Sequence, residues 1–260
     1  MVKILKYSFM DLMRSRWSYV YFLFYLILGF VLFFLNHDVT KAVITLMNVI
    51  IMLTPLIGTI FGVMYYYSSR EFTKLLLAQP LKRSIIFTGQ YLGISLSLSI
   101  SLVLGIGIPF VLYGIFGSTA IWDFATLLLI GAFLTFIFVA LAFNIGLAFS
   151  DKIKGFGFSI LIWLFLAVIY DGLFLLSLLV FNDYPLDKFA LGATLFNPID
   201  LSRILILLKL DISALLGYTG AVFQKFFGTY LGMAVSFTLL TVWVIIPVAA
   251  MLRQTRKKDF

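Results

Sequence analysis

The chain has 260 residues, of which 63% are apolar, 18% aromatic and 12% charged, against roughly 25% charged in a soluble domain, so a water-soluble globule is excluded. It contains no cysteine, which removes disulfides, thiolate metal sites and thiol catalysis. Lys and Arg number 19 against 11 Asp and Glu; in a membrane chain such an excess sets topology, and no nucleic-acid partner is expected from it.

In chain order, residues 1–16 read as an interfacial helix. Val2, Leu5, Phe9, Leu12 and Met13 share one arc, while Lys3, Lys6, Asp11 and Arg14 lie elsewhere, a pattern suited to lying among membrane lipids. The alternative is a plain extension of the first span. Apolar runs at 17–35, 43–67, 91–114, 124–149, 157–181 and 229–252 are each long enough to cross a bilayer, which takes about 20 residues. The first run is too long for a signal-peptide core, and Asn36-His37-Asp38 is no cleavage site, so it reads as a retained anchor.

The expected fold is therefore an all-α membrane protein of six transmembrane helices, one domain over 1–260. Fourteen of the 19 basic residues fall before span one, between spans two and three, after span four or at the C-terminus. Only Lys41, Lys188, Arg203, Lys209 and Lys225 fall on the other side, which places both termini in the cytoplasm.

Several chemistries are missing. No glycine precedes a lysine, so there is no phosphate-binding loop and the chain itself does not hydrolyse ATP. His37 is the only histidine, which disposes of Ser-His and His-Glu-x-x-His catalysis. The eight methionines form no tight cluster and read as core filler rather than metal ligands. Asp171 is the one ionisable residue deep inside a span. It should face a cavity, a seam between subunits or a hydrogen-bonding partner.

Residues 68–90 are too polar to span and too apolar for a plain loop. Leu75, Leu76 and Leu77 supply contact surface, Pro80 ends a short helix, and Arg83 leads toward the third span. Gly58–Gly62, Gly89–Gly93 and Gly228–Gly232 have the spacing of close helix contacts.

Leu75-Leu76-Leu77-Ala78-Gln79-Pro80 with Arg83 resembles the coupling helix of type 2 ABC exporter permeases, although the family's Gly-Thr pair ahead of the leucines is absent here. Ser150-Asp151-Lys152-Ile153-Lys154, Tyr170-Asp171-Gly172-Leu173, Asn197-Pro198-Ile199-Asp200-Leu201-Ser202-Arg203 and Ser213-Ala214-Leu215-Leu216-Gly217 are similar, in that order, to the permeases of nitrous oxide reductase maturation complexes. The resemblance implies a homodimer in the bacterial cytoplasmic membrane, driven by a separate cytoplasmic ABC ATPase, without a catalytic residue or cofactor of its own. It implies ATPase coupling at Arg70, Glu71, Leu75, Leu76, Leu77, Pro80, Arg83, Asp151 and Lys152, and delivery of copper or a sulfur species. Two rival readings are an exporter of lipid, peptide or drug, and a non-ABC scaffold or secondary carrier.

The stretch 182–228 should form a periplasmic helical loop. Asn197 suits an N-cap and Pro198 the first helical position, so a helix should run to about Lys209. Asp211 can cap a shorter one ending near Gly217. Pro198, Asp200 and Arg203 would organise a docking surface, and the resemblance implies a periplasmic copper-handling protein of β-helix fold as its partner. The other reading is a re-entrant hairpin that closes the outer end.

Overall fold

The computed structural model describes residues 1–36, 39–118, 120–181, 186–210 and 217–257. Among them there is no strand. The elements are α1 (Val2–Arg14), α2 (Arg16–Asn36), α3 (Val39–Ser68), α4 (Arg70–Leu77), α5 (Arg83–Leu112), a 3-10 turn (Ile115–Gly117), α6 (Ile121–Ala148), α7 (Lys152–Leu164), a π stretch (Phe165–Ile169), α8 (Tyr170–Val180), α9 (Asp187–Leu195), α10 (Pro198–Lys209) and α11 (Gly217–Lys257). Six segments are long and apolar enough to cross a membrane: Arg16–Leu35, Lys41–Ser68, Arg83–Leu112, Ile121–Ala148, Lys152–Val180 and Tyr230–Lys257. The all-α, six-span expectation holds, and the chain is a multi-pass membrane protein.

The differences lie at the ends. α5 starts at Arg83, well before the apolar run begins at Tyr91. The helix starts where the backbone restriction around Pro80 ends, whatever the polarity of its first turns. α11 starts at Gly217, inside the stretch expected to be loop, and α9 had not been expected. The short helix expected from Asp211 lies outside the described residues.

Two compact units result, Met1–Ile160 with Val244–Phe260, and Leu161–Trp243. In the first, glycines set the approach of the helices, as they must where lipid removes the hydrophobic drive for helices to pair. A Cβ on Gly62 of α3 would lie 2.6 Å from the Ala142 Cβ of α6. One on Gly93 of α5 would lie 2.7 Å from the Ser8 Cβ of α1. The buried line of α1 is accordingly Ile4, Ser8 and Leu12. Of the expected apolar arc only Leu12 belongs to it, because a groove floored by Gly89 and Gly93 selects the face that carries the small Ser8. α1 is a helix of its own, separated from α2 by an extended Ser15 (φ −67°, ψ 137°).

In the second unit α10 is capped as its sequence requires, the Asn197 side chain accepting from the Ile199 N–H at 3.0 Å, with Pro198 at the first position. α9 ends just before it. The Tyr170 hydroxyl donates to the Ala193 carbonyl at 2.6 Å, which also accepts the Phe196 N–H at 3.1 Å, and the Trp243 indole donates to that of Leu195 at 3.0 Å, serving carbonyls of the last turn of α9. α9 and α10 are bent by 110° relative to each other, too sharp for a straight crossing, and form a helical hairpin apart from the six spans.

Candidate functional site

Two clusters of polar groups stand out, one in each unit. The first gathers the expected coupling residues. α4 has two rows. Thr73 is buried, donates to the Ser69 carbonyl at 2.9 Å and accepts from the Gln90 amide of α5 at 2.9 Å. Phe72 stacks on Tyr7 of α1 with ring centroids 4.4 Å apart. On the open row Leu75 is 69% exposed, whereas Leu76 and Leu77 are half-buried. Glu71 pairs with Lys74 at 3.2 Å. Pro80 is exposed in the turn after α4, and Arg83 is exposed as the first residue of α5.

The α6–α7 connection is fixed to this platform. The Arg70 guanidinium donates to the Ser150 carbonyl at 3.2 Å, and the Tyr67 hydroxyl reaches the carbonyls of Phe149 at 2.9 Å and Asp151 at 3.2 Å. Asp151 caps α7 by accepting from the Ile153 N–H at 2.8 Å, and the Lys152 ammonium lies 5.9 Å from the centre of the Phe156 ring. Arg70, Glu71 and Leu75 of α4, and Asp151 and Lys152 at the start of α7, thus belong to two neighbouring segments joined by hydrogen bonds. Sequence reasoning missed Tyr67, the hub of that junction, and Ile153, which is 82% exposed. The available signal was Tyr65-Tyr66-Tyr67 at the end of a span, where aromatic residues gather.

The second cluster joins Asp171 to the expected docking residues. One guanidinium nitrogen of Arg203 lies 3.0 Å from an Asp171 carboxylate oxygen and 3.0 Å from one of Asp200. The Asn197 amide donates to the other Asp200 oxygen at 2.9 Å and to the Leu166 carbonyl, also at 2.9 Å. Leu166 sits in the π stretch, where the wider turn disturbs the usual carbonyl pairing. Pro198 contributes by starting α10, and its carbonyl accepts from the Ser202 hydroxyl at 2.7 Å. Burial, then the Asp171 charge, push the Asp200 carboxyl up to about 7, opposed by Arg203 and Asn197. Among the described residues no group of three or more His, Asp or Glu side chains could hold a metal ion. Beside this cluster an apolar cavity of about 440 Å³ is lined by Phe165, Tyr170, Phe174, Phe189, Ala193 and Phe196, with others.

The described residues thus hold six apolar segments long enough to cross a membrane and an exposed short helix between the second and third. The chain is 27% identical over 137 residues to the probable ABC transporter permease protein NosY of Stutzerimonas stutzeri, a match covering 50% of this chain and 49% of that protein. It thus spans about half the length of the relative it matches. No protein-family model matches the chain.

Proposed function

We propose that the chain is the membrane-spanning permease subunit of an ABC transporter, with ATP hydrolysis in a separate cytoplasmic subunit. The observation that carries this reading is the joined platform of α4 and the α6–α7 connection, where Arg70 and Tyr67 hold three successive carbonyls of the neighbouring loop. A partner that pushed on Leu75 would move both loops together, as force transfer requires. With both termini cytoplasmic, as the positive charge distribution indicates, the platform faces the ATPase. The subunit works as a homodimer, a reading supported by the fifth span, Lys152–Val180, whose most apolar 18-residue window is only 11% buried within the chain.

The narrower reading follows the resemblance to nitrous oxide reductase maturation permeases. The complex passes copper, or a sulfur species, toward that enzyme at the periplasmic face, and α10 with Asp200 and Arg203 receives a periplasmic copper-handling protein of β-helix fold. The cavity beside Tyr170, being apolar, favours a second reading in which the cargo is a lipid or another hydrophobic molecule. Affinity purification in mild detergent tests the broad proposal: an ABC ATPase should accompany the chain, and its absence would refute it. Deletion of the gene tests the narrow one, which fails if nitrous oxide reductase still acquires its copper.

A further inference from the structure

At the break between α1 and α2 lies a hollow of about 370 Å³, lined by Asp11, Leu12, Arg14, Ser15, Trp17, Met64, Tyr65 and Ser68. Its size falls in the range of roughly 300–1,000 Å³ typical of small-ligand sites. It sits where α2 enters its span at Arg16 and α3 leaves its own at Ser68, the level of lipid headgroups. Trp17 is exposed there, and indoles concentrate at that depth.

The charges in the hollow are unspent. Asp11 and Arg14 are three residues apart on one helix, yet neither has a salt-bridge partner among the described residues, including each other. Tyr65 is 5% exposed, and its hydroxyl lies within reach of the buried Ser8 hydroxyl and feels the Asp11 carboxylate. A buried phenol that is itself a donor here adjoins an acid and a base that bracket a space.

We propose that this hollow binds the headgroup of an aminophospholipid, a phosphate and a primary ammonium on one short linker, drawn from the leaflet that the N-terminus faces. Arg14 donates to the phosphate, Asp11 accepts from the ammonium, and the Tyr65 hydroxyl is a second donor toward phosphate oxygen. An anionic headgroup without an amine leaves Asp11 opposed to negative charge. A choline headgroup carries the positive charge but has no N–H to give a carboxylate. Phosphatidylethanolamine satisfies both residues. This inference does not depend on an ATPase partner or on any cargo.

Native mass spectrometry of the full-length chain, titrated in detergent with phosphatidylethanolamine, phosphatidylcholine and phosphatidylglycerol of matched acyl chains, tests it. Phosphatidylethanolamine should bind at least about tenfold tighter than either, the size expected of one charge-assisted hydrogen bond. Asp11→Asn, at an exposed position, should bring the preference over phosphatidylcholine to within about twofold without changing the melting temperature. Arg14→Gln should weaken all three lipids. Equal binding of the three lipids by the unaltered chain, or a preference that survives Asp11→Asn, would overturn the proposal. Displacement of the lipid by soluble O-phosphoethanolamine at equal concentration would overturn its assignment to a membrane lipid.

Discussion

Leu75→Asp probes the platform most cleanly. Leu75 is 69% exposed, so the change empties no core and introduces a carboxylate that water can solvate in the free chain. If an ATPase covers this side chain, its loss removes the burial of one leucine, roughly 1.5–3 kcal/mol, equivalent to a loss of affinity of roughly tenfold to 150-fold. Desolvating the new carboxylate adds to that. Leu77→Ala should do less, since Leu77 is half-buried within the chain and its truncation falls on folding as much as on binding. The assay is titration of the ATPase against the permease in lipid nanodiscs, with the melting temperature of each variant as control. Affinity within twofold of the unaltered protein, with Leu75→Asp fully folded, would refute the view that α4 is the docking element.

Tyr67→Phe removes the hydroxyl shared by the carbonyls of Phe149 and Asp151; it should cost about 1 kcal/mol of stability and keep the ATPase bound while lowering cargo transfer, a split read by comparing pull-down with transport. Arg203→Gln leaves Asp171 and Asp200 without their shared cation and should destabilise by about 1–2 kcal/mol, discounted for the partly exposed guanidinium; Asp171→Asn in the same chain should recover much of the loss, measured by thermal unfolding. The raised Asp200 carboxyl makes stability depend on pH: its contribution is fully present below the ordinary carboxylate range and is lost as pH rises through about 7. Melting temperature should fall between pH 5 and pH 8, and Asp200→Asn should flatten the slope.

The spans were legible because a bilayer demands about 20 apolar residues whatever the fold around them. The cap of α10 was legible for a local reason, since Asn197, Pro198 and the first N–H groups are consecutive. Three adjacent leucines in α4 read as one contact surface, yet successive helical residues turn by about 100°, so only Leu75 can face fully outward while Thr73 faces the core. Contacts across the chain were not legible. Arg70 and Ser150 are 80 residues apart, and their meeting depends on how closely glycine lets α3 approach α6. Asp171 announced its need for a partner simply by being acidic in an apolar run, but the identity of Arg203 required the bend between α9 and α10, and no residue pattern declared that angle.

The shared cation also bears on what the outer cluster is for. A lock that only fastened α10 to α8 would need one acid and one base, and Asp171 with Arg203 at 3.0 Å already supplies them. Asp200 adds a second acid on the same guanidinium nitrogen, which leaves surplus negative charge in a partly dry place when both are ionised. Its raised carboxyl, near 7, disposes of that surplus by holding a proton, so the cluster has two charge states close to neutral pH. With Asp200 protonated, Arg203 belongs to Asp171 alone and α8 is held to α10. With Asp200 ionised, the cation is divided between the two carboxylates, while the Asn197 amide still donates to Asp200 within α10 and to the Leu166 carbonyl of the π stretch.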